Sequence, residues 1–327
     1  MVYTYDTPDG VAVQSPPIVA ELQALFERLP DADLLAHLEG PTRRGPKGHP
    51  VQTLWRCLIV KHYLAIPSTA AMIRTLEQNP YIASACGIDS PDTIPHESTF
   101  SRFFARLANR KYLHLVKNVS RELVRQCYAG LPAFGERVAL DSTTLKAWSN
   151  GGRAKKADSE AGWSVKKGTQ GVKEYTYGWK LHLLVDCESE LPIAANVSPG
   201  NVHDSKRATN VLSEARFTYM RFNPKYLLAD QAYSGKELSH TVKYQYSATP
   251  IIQVNKAHKR LAAKLTATQN TSEWKALYKQ RQAVERVNSR LKGQRSLNHI
   301  TTRGLRKVTV HCYLSLIAMQ VSAMASK

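Results

Sequence analysis

The sequence predicts an α/β fold, a mixed sheet flanked by helices, preceded by an all-helical N-terminal part. Three observations predict it. Apolar residues recur at helical spacing through the first third of the chain. From about Arg137 onward, short apolar runs alternate with helical patterns. Two of those runs, Val138-Ala-Leu-Asp141 and Tyr226-Leu-Leu-Ala-Asp230, are strands of the buried type, and each ends in a carboxylate. The division expected from this change is a helical domain over residues 1–130 and an α/β domain over 131–327.

The elements follow in order. The stretch from about 17 to 38 reads as helical through Ile18, Leu22, Leu25, Phe26 and Leu29, and is ended by Pro30. Residues 41–50 are rich in Pro, Gly and positive charge. Such a run is a solvated linker or an arm lying in a minor groove, and Arg43, Arg44 and Lys47 are its candidate DNA contacts. Val51 to Leu107 reads as wholly helical. Ser68 and Ser98 are plausible caps, and Phe100, Phe103 and Phe104 share one side. Several short helices with Ser-, Thr- and Arg-rich turns suggest a helix-turn-helix-like reader or a purely structural bundle. The Gly- and Lys-rich stretch from Asn150 to Lys173 predicts a mobile loop. Tyr177 to Val185 alternates as a strand, and Pro192 to Val197 returns as its partner. Ser205 to Met220 is a helix, Tyr226 to Asp230 a strand, Gly235 to Tyr246 a helix and Pro250 to Val254 a strand. A basic helix runs from about Ser272 to Leu291. Val308 to Met324 is apolar but contains His311 and Gln320, which predicts a packed helix rather than a membrane span.

Charge narrows the partners. Lys and Arg number 45 against 26 Asp and Glu, a net +19 with a pI near 9.7. An excess of that size favours a polyanion, because each neutralised phosphate releases counterions. Mean hydropathy is −0.36, and no basic amphipathic helix has an aromatic face, which argues against a membrane partner. The five cysteines are scattered without a C-x2-C pair, so a disulfide framework or zinc site is not expected and a reducing cytoplasm fits. The polar, acidic first ten residues do not read as a signal peptide.

The chemistry rests on three carboxylates. Asp141 and Asp230 at strand ends sit where open α/β sheets place their ligands. Two such side chains repel unless a cation bridges them, and magnesium is commonly held by one or two carboxylates with water and phosphate oxygens. Either aspartate alone could instead cap a turn. The third piece is the segment Tyr278 to Lys292. At 100° per residue from Tyr278, Arg281 falls at roughly −60°, Glu285 at −20° and Lys292 at −40°. One helical face would then carry an acid, two cations and a phenol, either a metal and phosphate surface or a solvated face with spaced ion pairs. Asp204 beside His203 is a further acid, read as supporting the loop after the hairpin. Trp148 and Trp163 flank the basic loop and either stack on bases or pack locally.

The spacing Tyr278-x2-Arg281-x3-Glu285-x6-Lys292 resembles the Y-x2-R-x3-E-x6-K signature of bacterial insertion-sequence transposases of the DDE superfamily. Leu-Ala-Asp230-Gln-Ala-Tyr233 resembles that family's second-aspartate motif and Leu-Asp141-Ser-Thr its first. Gly200-Asn-Val-His203-Asp204-Ser is similar to a stretch found between them. The resemblance covers nearly the whole chain. It implies a ribonuclease-H-like core and metal-dependent cleavage and strand transfer at insertion-sequence ends. It implies Asp141, Asp230 and Glu285 as ligands of two Mg²⁺ ions, with Mn²⁺ as a substitute. Tyr278, Arg281, Lys292 and Tyr233 are then DNA contacts. The expected partners are double-stranded DNA, as terminal inverted repeats and target, and a second copy of the chain, in the bacterial cytoplasm beside the nucleoid. The competing readings are a metal-dependent nuclease without strand transfer and a non-catalytic DNA-binding relic.

Overall fold

The computed structural model describes residues 4–6, 12–14, 16–39, 48–149, 151, 158–167, 171–254, 269 and 271–325. They fall into two compact units. The first comprises residues 1–123, 293–299 and 313–327, and the second residues 124–292 and 300–312.

The first unit is helical apart from a short antiparallel pair, β1 (Thr4–Asp6) and β2 (Ala12–Gln14). Its helices are α1 (Pro17–Glu27), α2 (Ala32–Glu39), α3 (Val51–Tyr63), α4 (Thr69–Gln78), α5 (Pro80–Ala85), α6 (Glu97–Leu107) and the first two-thirds of α7 (Arg110–Gly130). The helical stretch through residue 38 is thus two helices parted around Pro30. Asp31 in that break accepts a 2.7 Å bond from the Trp55 indole. Ser68 caps α4 through the Ala71 amide at 3.0 Å. His96, rather than Ser98, caps α6, its ring accepting from the Ser98 amide. Phe100 and Phe103 enter the core.

The second unit is built on a sheet of β3 (Arg137–Lys146), β4 (Gly162–Lys167), β5 (Lys173–Asp186), β6 (Pro192–Pro199), β7 (Tyr226–Ala229) and β8 (Thr249–Ile252). Apart from β4, the order across it is β6-β5-β3-β7-β8. The first three strands in sequence form an antiparallel meander. The last two run parallel to β3 and are reached through α8 (Ser205–Thr218) and α9 (Lys236–Gln245). This is the order of a ribonuclease-H-like core. Helix α8 packs on β5 and β6 through Ala208, Val211, Leu212 and Ala215, all buried. Leu140, Leu183, Leu184 and Leu228 have no exposed surface. Burial of this kind stabilises by about 25 cal/mol per Å² of apolar surface.

Two expectations need correction. The stretch from Asn150 to Lys173 contains a strand, β4, which pairs with residues 173–178 of β5. Trp163, Ser164 and Val165 alternate across it, but dense lysine and glycine around them give the composition of a loop. Gly178 permits the close approach at its base. A Cβ there would lie 1.9 Å from the Leu145 carbonyl oxygen. The basic helix is also two helices, α10 (Ser272–Lys279) and α11 (Gln282–Gln294).

The last helix, α12 (Leu305–Ala325), is long and apolar enough to cross a membrane, yet 78% of its most apolar window is buried in the fold. Residues before Tyr313 belong to the second unit and those from Tyr313 onward to the first. All five cysteines are free.

Candidate active site

The sheet brings the two aspartates together. Strands β3 and β7 are parallel, with Leu140 opposite Ala229. The next residue along the chain is in each case an aspartate: Asp230 directly follows β7, while Asp141, expected at a strand end, lies within β3, whose pairing with β5 runs on to Lys146. Asp230 leaves the strand and caps the short turn Gln231–Tyr233, its Oδ1 accepting from the Ala232 amide at 2.9 Å. Turn capping and a place at the sheet rim thus coexist.

Electrostatics sets these acids apart. Burial pushes the Asp141 carboxyl up to about 6, against the help of the Ser142 amide and the Arg281 guanidinium, with the Asp230 and Glu285 carboxylates adding to the rise. Asp230 is likewise raised by burial and by Asp204, and held down by its amide bonds and Arg281. Asp141, Asp230, Glu285 and Arg281 therefore lie within electrostatic reach of one another.

Glu285 is positioned differently. Helix α11 buries Ala283, Val284, Val287, Asn288 and Leu291, leaving Glu285 on the outer face. Glu190, in the turn between β5 and β6, receives Arg286 Nε at 2.5 Å and an Arg290 Nη2 at 2.7 Å. Two arginines one helical turn apart thus fasten α11 to the sheet. The Glu285 side chain is 50% exposed, and its Oε1 accepts a 2.6 Å bond from Arg281.

The helical-face expectation changes here. Tyr278 lies in α10, and Arg281 in the junction before α11. The Gln280, Arg281, Ala283 and Val284 amides bond three residues back, a tightened turn that breaks the even 100° progression. No Pro or Gly marks it. Tyr278 stacks on Trp274 with centroids 4.7 Å apart, and its hydroxyl donates to Gln253 Oε1 at 3.1 Å. Lys292 remains on the Glu285 face of α11 by spacing; its Nζ donates to the Thr144 carbonyl oxygen of β3 at 3.0 Å.

Tyr233, expected as a DNA contact, is 1% exposed. Its phenol is raised by burial and by the Asp204, Asp141 and Asp230 carboxylates. It is buried near the acids and is not a surface contact. Arg43, Arg44 and Lys47 lie outside the described residues. Asp204 is bound by Lys180 Nζ at 2.9 Å, and that ammonium also donates to the Val202 carbonyl at 3.0 Å. Sequence reading missed the clamp at Glu190 and the lysine on Asp204. Alternation in β5 places Lys180 on one face with His182, the only available signal.

Among the described residues no group of three or more His, Cys, Asp or Glu side chains is arranged to hold a metal as it stands, since Glu285 is turned to Arg281. The aspartate pair nevertheless fits. Two carboxylates side by side, one raised to about 6 by burial and like charge, are what a hard dication relieves, and one or two carboxylates suffice for magnesium beside phosphate oxygens.

Two family models and one solved structure are similar to this chain. Residues 132–321, more than half of the chain, match the family model described as "Transposase DDE domain". Residues 13–106 match that described as "Transposase domain (DUF772)". No curated protein matches. Among solved structures, the chain is similar to the cryo-EM structure of a piggyBac transposase synaptic complex with hairpin DNA. Identity is 10% and the TM-score 0.45, over 93% of this chain and 75% of that one.

Proposed function

The chain belongs to the DDE transposase family and acts in DNA transposition, and from that premise we propose that Asp141, Asp230 and Glu285 hold two magnesium ions at the cleaved phosphodiester. The observation that supports this reading is the parallel register of β3 and β7, in which Leu140 faces Ala229 and the next residues are Asp141 and Asp230.

Bound divalent ions supply Lewis-acid activation of the attacking oxygen, from water or a DNA 3′-hydroxyl, and of the leaving oxygen of an in-line displacement. The protein's own groups do the rest. Asp141 and Asp230 come from a buried sheet, so their positions are fixed before DNA arrives. Arg281 is the exchangeable partner. Its guanidinium fork suits a phosphate as well as a carboxylate, so transfer of Arg281 to the DNA backbone frees Glu285 for the metal. Lys292 adds a point charge beside β3. Tyr278, stacked on Trp274, presents its phenol beside Arg281, whose guanidinium lies 5.6 Å from the ring centroid. No covalent enzyme–DNA link is required. Joining two ends to a target calls for two catalytic subunits, so the active form is a homodimer on DNA, acting in the cytoplasm at the nucleoid.

The test is cleavage and joining of a labelled duplex carrying the element's terminal sequence, in Mg²⁺, in EDTA and with Glu285→Gln. Cleavage and strand-transfer products that need both metal and intact Glu285 are expected. Cleavage without joined product would make the chain a nuclease. Specific binding without cleavage in any metal would make it a DNA-binding relic.

A further inference from the structure

Pairing of β3 with β5 ends at Gly178. Beyond it, β4 and residues 173–177 of β5 continue as a two-stranded antiparallel ribbon. Six residues of strand extend roughly 20 Å. Strand alternation gives the ribbon two faces. One carries Trp163 opposite Tyr177, Val165 opposite Tyr175, and Lys173 at the tip. The other carries Ser164 opposite Thr176 and Lys166 opposite Glu174.

Base and tip differ. At the base, Trp163 and Tyr177 rings lie 5.2 Å apart, and Gly151 packs on both, since a Cβ there would meet them at 2.5 and 2.6 Å. The Tyr177 hydroxyl donates to the Asp158 carbonyl, and the Asp158 carboxylate receives the Gly304 amide at 2.8 Å. Glu160 receives the Leu305 amide at 2.9 Å. The base is therefore anchored within its own unit. At the tip, Val165 is 53% and Tyr175 61% exposed, and Val172, just before β5, is 64% exposed. Apolar side chains this bare, on a register-fixed strand pair anchored at its base, mark an interaction surface.

Charge identifies the partner. Lys166 and Lys173 are exposed at the tip, within a stretch that also contains Lys155, Lys156 and Lys167 in sequence. Lys166 is close enough to Lys292 to contribute, after burial, to lowering that lysine's pKa. The ribbon is thus continuous with the cationic side of the proposed active site. We propose that this ribbon is a DNA-contacting arm that lies in the major groove beside the cleaved bond, with Tyr175 and Val165 against base edges and Lys166 and Lys173 at the flanking phosphates. A two-stranded ribbon fits that groove, about 12 Å wide. The proposal rests on DNA binding by this chain as a transposase.

The test is binding of the full chain to a fluorescein-labelled duplex with the element's terminal sequence, by anisotropy across a salt series. Tyr175→Ser combined with Val165→Ser is expected to weaken binding about tenfold. Lys166→Ala combined with Lys173→Ala is expected to reduce the slope of log affinity against log salt by about 2. A p-benzoylphenylalanine in place of Tyr175 is expected to cross-link to the duplex, a readout independent of any loss of fold in the Ser variant. Wild-type affinity and slope in both variants, without a cross-link, would overturn the arm while leaving DNA binding intact. Loss of dimerisation without DNA in the Ser variant, at unchanged slope in the Lys variant, would make the ribbon a subunit contact and overturn it too. A wild-type chain that binds no duplex would overturn the transposase site reading and the arm with it.

Discussion

The middle of β3 with the end of β7, and the outer face of α11, supply the same chemical group by opposite means. Asp141 and Asp230 sit on a buried parallel pair whose neighbours, Leu140, Leu228 and Ala229, have no exposed surface. Their positions follow from the ladder, and their burial disfavours charge. Glu285 stands half-exposed on a helix that is clamped from outside by Glu190 and is already paired with Arg281. The difference teaches that rigid burial and exposed ion pairing are separated among these three acids. The sheet fixes two acids at an electrostatic cost, while the helix carries a third, half-exposed and paired with Arg281.

The largest expected effect tests the fixed side. Asp230→Asn should lower metal-dependent cleavage roughly a thousandfold or more while duplex affinity in EDTA stays within a factor of a few, measured on one protein preparation. Retained cleavage would remove Asp230 from the metal. Next comes the clamp. Glu190→Ala frees Arg286 and Arg290 and should reduce cleavage about tenfold through misplacement of Glu285, corresponding to about 1.4 kcal/mol. Partial rescue by raised Mg²⁺ would separate misplacement from unfolding.

The third prediction concerns stability against pH. Asp141 is raised in the fold from its ordinary 3.8 to about 6, so the folded chain prefers it neutral. Below about pH 4 no penalty exists. As pH rises from about 4 to about 6 the metal-free protein should lose on the order of 2 to 3 kcal/mol, and above that the loss is complete. Asp141→Asn should flatten this segment and raise Tm in EDTA at neutral pH. Saturating Mg²⁺ should reverse the trend in the wild type. An unchanged pH profile in the variant would assign the effect to another group. The smallest effect completes the comparison. Glu285→Gln should change metal-free stability by less than about 1 kcal/mol, because an exposed ion pair contributes little.

Much of this was legible in the residues. The runs ending in Asp141 and Asp230 are uniformly apolar, as doubly covered strands must be, and no competing helical period confuses them. Strand β4 was hidden because only Trp163 and Val165 carry its alternation among lysines and glycines, and a ribbon leaves no continuous apolar trace. The break between α10 and α11 was hidden because the turn is made by ordinary residues whose amides shift to shorter bonds. The exposure of Tyr233 could not be read at all. An aromatic three places after an aspartate serves equally well as a contact above the acids or as packing beneath them, and the direction of a turn decides which.

The divided membership of the chain has a consequence for its synthesis. In the helical unit, Ser296 donates to the Ile66 carbonyl at 2.8 Å, His62 Nδ1 lies 3.0 Å from the Ser315 hydroxyl, and Ser120 donates to Gln320 at 2.9 Å. The catalytic sheet, by contrast, is complete in sequence by Ile252. Domains fold as units while a chain emerges from the ribosome. Helices α3 and α7 must therefore wait for partners 200 or more residues later in the chain, and the sheet between can close before they do.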